Sequence, residues 1–190
     1  MIYRITKRIL DIIFSIILII LFIPLWIIIP LIIKIDSPGK VIFKQKRVGI
    51  KSGYFTIYKF RTMKEGTPDI PTDRLKNQST LNTRTGTALR RLSIDEIPQL
   101  INILKGEISF VGPRPALYNQ ELLIRLRKEK SVDMVRPGVT GLAQISGRDA
   151  LSIKDKVMYD QLYIKDASLL LDIKIFLVTV KAVITGKGAN

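Results

Sequence analysis

The chain contains no histidine and no cysteine. These two absences exclude an imidazole general base, a thiolate nucleophile and every zinc site built from Cys and His, so side-chain chemistry falls to Asp or Glu. Without cysteine there is also no disulfide framework, which is compatible with a cytoplasmic domain. Acidic residues are scarce too: 16 stand against 31 Lys and Arg, giving a formal charge of +15 and a pI near 10.1. That balance favours anionic partners, whether phosphates, an anionic leaflet or nucleic acid. No internal repeat, Walker loop or dinucleotide fingerprint is present. The 190 residues suffice for one domain of ordinary size.

The apolar residues are spread unevenly. Ser15 is the only polar residue from Ile12 to Phe22, and the stretch without charge continues through Ile33. As a helix, rising about 1.5 Å per residue, it covers roughly 30 Å, the thickness of a bilayer core. A cleaved signal peptide is rejected, because the run is too long and Ile32-Ile33-Lys34-Ile35-Asp36 offers no small-residue cleavage site. Arg4, Lys7 and Arg8 precede the run, and Lys34, Lys40, Lys44, Lys46, Arg47 and Lys51 follow it. The positive-inside rule asks both flanks to stay cytoplasmic, which a simple span cannot satisfy. Pro24 breaks the run near its middle and Pro30 follows. A bent helix that enters and leaves by one leaflet satisfies both flanks; a kinked span is the alternative.

Asp36-Ser37-Pro38-Gly39 reads as a turn ending this element. Val41-Ile42-Phe43 and Phe55–Phe60 read as the strands of a hairpin, with Lys59 and Arg61 on one face and Tyr58 and Phe60 on the other. Residues 64–80 are a polar loop over or beside the site. Thr87–Leu92 predicts a short helix carrying Arg90 and Arg91, followed by helix to about Leu104, ended by Gly106. Ala116–Lys130 predicts an amphipathic helix with charges outward. Ser152–Ile164 and Ser168–Ile184 predict two more, the first with a Ser152/Asp155 capping box and the second with an apolar surface suited to a membrane interface.

Two motifs carry the chemistry. Ser93-Ile94-Asp95-Glu96-Ile97-Pro98 holds the only directly adjacent acidic pair. Ser93 and Glu96 match a capping box, whereas Pro98 suits the first turn of a helix. Either way Asp95 and Glu96 stand at a helix start, where partial positive charge favours carboxylates and phosphates. Downstream, Gly112-Pro113-Arg114-Pro115 frames one arginine between two prolines, a rigid mount for a planar phosphate-binding fork. Arg90, Arg114 and Arg148 are candidates for stabilising phosphate charge, and Lys59 and Arg61 for phosphate contact.

These blocks, with Lys59-Phe60-Arg61-Thr62-Met63, Gly106–Pro115 and Arg136-Pro137-Gly138-Val139-Thr140-Gly141-Leu142-Ala143-Gln144, resemble the bacterial sugar transferases, the monotopic phosphoglycosyl transferases that begin lipid-linked glycan assembly. The resemblance covers essentially the whole chain in order and matches the minimal catalytic form. It implies transfer of a sugar phosphate from a UDP-sugar to undecaprenyl phosphate, with release of UMP at the cytoplasmic face of the bacterial inner membrane. It further implies that Asp95 is the nucleophile of a covalent phosphosugar intermediate with Mg²⁺ bound beside it, and that Glu96 is its dyad partner. Pro113, Arg114 and Pro115 correspond to the nucleotide-binding motif, and Pro24 to the break of the re-entrant helix. Ile23 departs from the serine found there in many members, so the proline alone must produce the break.

The expected architecture is α+β and mostly helical. A re-entrant membrane helix occupies 1–35, and a small cytoplasmic catalytic domain with a short β-hairpin and interfacial amphipathic helices occupies 36–190. The expected partners are a UDP-sugar, undecaprenyl phosphate and membrane lipids. The rival readings, a membrane-tethered nucleic-acid-binding protein or a passive anchor, leave the Asp-Glu pair and the Pro-Arg-Pro turn without a role, so nucleic acid is not an expected partner. The identity of the sugar and the oligomeric state, a homodimer included, are left open.

Overall fold

A computed structural model describes residues 2–68, 70, 78–147 and 150–186. Two N-terminal helices, α1 (Ile2–Leu21) and α2 (Ile23–Asp36), meet at an angle of 62°. The break falls at Phe22, because Pro24 in the first turn of α2 has no N–H to offer the carbonyl one turn back. Among the described residues no single helix is long and apolar enough to cross a membrane, but the bent pair together has the length and composition.

The surface of α1 is inverted relative to that of an ordinary soluble helix. Its buried residues are the polar Asp11 and Ser15, while Ile5, Ile9, Ile13, Phe14, Ile16 and Ile20 are exposed. The helix docks on the remainder of the chain by polar contacts, with Leu18 and Ile19 near its C-terminal end packing against the core. Asp11 accepts from Ser109 Oγ at 3.1 Å and Phe110 N at 3.3 Å. Arg8 donates to the carbonyls of Ile103 and Leu104 at 2.6 and 2.9 Å, at the C-terminal end of a helix, where carbonyls lose their partners in the next turn. The next helix, α2, contributes Ile29 and Ile33 to a core with Phe60, Leu89, Ile97, Leu100, Ile103 and Ile108. Each such side chain stabilises the fold by about 1.5–3 kcal/mol when fully buried.

The hairpin forms as expected but with a longer first strand: β1 (Ile42–Val48) pairs antiparallel with β2 (Tyr54–Phe60), Ile42 opposite Phe60 and Val48 opposite Tyr54. The free edge of β2 is closed by a side chain. Fully buried Asn102 accepts from Tyr58 N at 3.1 Å and donates to Thr56 O at 2.7 Å, substituting for a third strand. After α3 (Gln78–Leu81), α4 (Arg84–Arg91) starts earlier than the sequence predicts, because Thr83 caps it by accepting from Gly86 N at 3.0 Å. Gly86 lies on the chain leaving β2, where a Cβ would stand 2.0 Å from Thr62 O.

A 3-10 turn (Ile94–Glu96), α5 (Gln99–Lys105) and β3 (Ser109–Val111) lead to the Gly-Pro-Arg-Pro motif. The amphipathic helix expected from Ala116 is α6 (Glu121–Glu129). It starts late because Ala116 O accepts from Val48 N at 2.9 Å and Leu117 bridges Arg47, which holds these residues extended beside β1. Next, β4 (Gly138–Thr140) pairs parallel with β3, which joins the Gly-Pro-Arg-Pro and Arg-Pro-Gly-Val-Thr-Gly motifs in one ladder. Only glycine fits at 138, since a Cβ would stand 2.1 Å from Gly112 N. The chain closes with α7 (Leu142–Ile145), α8 (Ile153–Lys165) and α9 (Leu169–Ile184), the last two capped by Ser152 and Ser168. Leu170, Ile173, Leu177 and Ile184 are exposed on α9. A carboxylate on the same helix, Asp172, receives Lys7 Nζ at 2.7 Å, Tyr3 Oη at 2.9 Å and Tyr163 Oη at 2.7 Å, which ties α1 to α8 and α9.

Candidate active site

Asp95 sits in the 3-10 turn between α4 and α5, almost fully buried. Ser93 is not a side-chain cap: it takes the left-handed conformation (φ 54°) and makes the reversal out of α4, while its carbonyl accepts from Glu96 N at 3.2 Å. Pro98 occupies the N-cap of α5, so of the two readings of this stretch the proline marks the helix start. The carboxylates thus stand on the turn that feeds the helix.

A cavity of about 510 Å³ opens beside Asp95. Lys59, Arg90, Arg114 and Pro115 line it together with Asp95. Lys59 reaches in from β2 and donates to Glu96 Oε1 at 2.6 Å, lying 4.0 Å from Asp95 Oδ2. Burial pushes the Asp95 carboxyl up to about 6; Lys59 opposes this, Glu96 adds to it, and Arg90 and Arg114 oppose it. A group near 6 is mostly ionised at pH 7 yet poorly solvated, the condition of a carboxylate nucleophile.

The other predicted residues divide by position. The guanidinium of Arg90 is braced by Asn82 Oδ1 at 3.1 Å. That of Arg114 has no hydrogen-bond partner among the described residues, and it lies close enough to Asp95 to lower its affinity for a proton. Pro113 carries no wall of the large cavity; its carbonyl accepts from Gly138 N at 2.9 Å. Arg61 borders the cavity, with Nη1 donating to Pro38 O and Nη2 to Ser37 O and Ser37 Oγ at 2.6–2.7 Å, while its Nε is buried without a partner among the described residues. Two of its three nitrogens thus brace the turn after α2. Arg148 lies outside the described residues, as do residues 69 and 71–77 of the 64–80 loop. Lys64–Pro68 and Ile70 border the cavity, whereas the end of the stretch, from Gln78, is helical in α3.

Sequence reasoning missed Arg47 and Arg127, both of which line the cavity. Arg127 is buried on α6 with Leu123, and Asp160 on α8 with Val157 and Tyr163. A charge four residues after a core leucine, and an opposite charge three residues after a core valine, were the available signal.

Asp95 and Glu96 supply at most two carboxylates, and among the described residues no group of three acidic side chains converges. That set suits Mg²⁺, which keeps waters and takes one or two carboxylates plus substrate phosphate oxygens.

The chain is similar to known proteins over most of its length. The chain is 45% identical over 82% of its length to the uncharacterized sugar transferase EpsL of Bacillus subtilis, and covers 75% of that protein. It is 38% identical over its full length to a UDP-N-acetylgalactosamine-undecaprenyl-phosphate N-acetylgalactosaminephosphotransferase of Aeromonas hydrophila, but spans only 46% of it. It is also 38% identical over 96% of its length to a UDP-glucose:undecaprenyl-phosphate glucose-1-phosphate transferase of Caulobacter vibrioides, covering 71% of that enzyme. The family described as bacterial sugar transferase matches residues 2–186, and the chain belongs to it.

Proposed function

We propose that this protein transfers a sugar 1-phosphate from a UDP-sugar to undecaprenyl phosphate, releasing UMP, with Asp95 as the nucleophile. The observation that carries the reading is a buried carboxylate, raised to about 6, on the wall of a cavity that also presents Lys59, Arg90 and Arg114. An oxygen of Asp95 attacks the phosphorus that bears the sugar. The bond from that phosphorus to the bridging oxygen breaks, and its electron pair leaves with UMP. An oxygen of the lipid phosphate then attacks the same phosphorus and frees the Asp95 carboxylate. Arg114 and Arg90 oppose the charge of the diphosphate, while Lys59 holds Glu96 and limits the repulsion between the two carboxylates. Asp95, with Glu96 nearby, would hold Mg²⁺, which supplies Lewis-acid neutralisation of phosphate charge.

The membrane seat belongs to the same proposal. The 62° bend, the exposed isoleucines of α1 and the exposed apolar face of α9 support a helix pair that dips into one leaflet and returns, with both basic flanks at the cytoplasmic face. Intact-mass measurement after exposure to UDP-sugars and Mg²⁺ without lipid tests the chemistry. A sugar-phosphate adduct on wild type, absent from Asp95→Asn, is expected. Full UMP release by Asp95→Asn would overturn the assignment.

A further inference from the structure

The backbone around Arg114 is held on every carbonyl. Pro113 O accepts from Gly138 N at 2.9 Å and Ala116 O from Val48 N at 2.9 Å. Between them, Arg114 O accepts from Arg127 Nη1 at 2.7 Å and Pro115 O from Arg47 Nη1 at 2.9 Å. Four consecutive carbonyls are therefore fixed by β4, α6 and β1, and the two central ones by guanidinium groups. The prolines make this bracing necessary: neither Pro113 nor Pro115 has an N–H, so the turn cannot close hydrogen bonds through them.

Arg127 borders the cavity, yet each of its three nitrogens donates to a protein acceptor. Its Nε and Nη2 donate to Asp160 Oδ2 at 2.9 and 2.7 Å, and Nη1 is the donor to Arg114 O. Asp160 is 1% exposed, so its charge is matched by Arg127 inside the protein. One planar fork thus links α8 to the turn, a geometry that a lysine ammonium cannot reproduce with both partners.

We propose that Arg127, fixed by Asp160, is a positioning residue of the donor site. It sets the peptide plane that carries Arg114, so that the Arg114 guanidinium meets the donor's phosphates, and it does not itself bind the donor. This inference rests on the function proposed above and adds the origin of the Arg114 geometry. It places part of donor affinity in a buried ion pair between α6 and α8, whose loss loosens Arg114 without removing it.

A double-mutant cycle on the full chain in lipid nanodiscs tests it, with UDP affinity by titration calorimetry and donor KM from UMP release. Arg127→Lys is expected to weaken UDP binding and raise donor KM about tenfold while kcat changes much less, with the protein still unfolding cooperatively. In an Arg114→Ala background, Arg127→Lys is expected to change either quantity less than twofold. Equal losses in both backgrounds would mean that Arg127 binds donor directly or acts through general folding, and would overturn the proposal. Wild-type UDP affinity in Arg127→Lys would overturn it as well. Should Arg127→Lys fail to fold, Asp160→Asn, which keeps an acceptor but removes the charge, carries the same cycle. A wild-type chain that neither binds UDP nor releases UMP would overturn the functional reading and this inference with it. A competent wild type with additive variants would overturn the inference alone.

Discussion

Lys59 Nζ lies 2.6 Å from Glu96 Oε1 and 4.0 Å from Asp95 Oδ2, so one ammonium from the hairpin serves both carboxylates of the 3-10 turn. It is bonded to the partner and only close to the buried acid. Asp95 is thereby kept ionisable without being engaged in a short ion pair.

The first prediction follows from that arrangement. If Asp95 must be ionised to attack, wild-type kcat/KM falls about tenfold per pH unit below an apparent value near 6. Lys59→Met removes the nearest charge that opposes the upward shift of Asp95 and leaves Glu96 beside it. The acidic limb is expected to move up by roughly one to two pH units, and activity at pH 7 to fall by about twofold to tenfold accordingly. Initial rates of UMP release across pH 5–9 in both proteins decide this; coincident acidic limbs would refute it.

Stability gives an independent reading of the same group. The folded Asp95 carboxyl, at about 6, lies above its ordinary value of 3.8, so between these values the folded state holds a proton that the unfolded chain has lost. Its favourable contribution is therefore complete below pH 3.8 and disappears as pH rises through about 6. Asp95→Asn, which has no charge to bury, is expected to be inactive yet more stable than wild type at pH 8, by on the order of 1–3 kcal/mol. The difference should shrink as pH falls toward 4. Thermal unfolding of both proteins at the two pH values checks the sign, and a less stable variant at pH 8 would reverse it.

Topology is testable because the natural chain has no cysteine to mask. Ile2 is exposed at the start of α1, and Lys51 is exposed in the β1–β2 turn. Single cysteines at these positions should react with an impermeant maleimide from the same side of sealed vesicles if the pair is re-entrant. Labelling from opposite sides would establish a span. Pro24→Ala restores an N–H at the break and is expected to shift part of the population toward opposite-side labelling.

The hairpin, the Asp-Glu turn, the break before Pro24 and the cap at Ser152 were legible because each depends on local spacing or on one residue's stereochemistry. The fate of Arg61 was not. Strand alternation put it on the face of Lys59, but the turn at Ser37 and Pro38, distant in sequence, claims two of its three nitrogens. The β3–β4 pairing was hidden for the same reason: Ser109 and Gly138 form a parallel ladder across residues that carry no pairing signal in either segment. Tertiary partners decide such cases, and a single sequence does not list them.

The final prediction concerns Asp172, where three donors from two other helices converge on one carboxylate. The residues are dispersed in the chain, and their common element is the seating of α1, whose apolar side chains face outward. Because this helix is held to α8 and α9 by polar contacts, removing the acceptor should weaken its docking more than an ordinary surface change would. Asp172→Ala leaves Lys7 and both tyrosine hydroxyls without this acceptor and is expected to destabilise the protein by about 2–4 kcal/mol. Asp172→Asn, which keeps an acceptor and loses the charge, should cost about half as much. Tyr3→Phe removes one hydrogen bond and should cost about 1 kcal/mol, with much less added in the Asp172→Ala background, because the two groups share one network. Denaturant unfolding in a single detergent measures the stability terms, and protease sensitivity of α1 reports its docking. Unchanged stability in Asp172→Ala, or full additivity with Tyr3→Phe, would show that the carboxylate does not hold the helix.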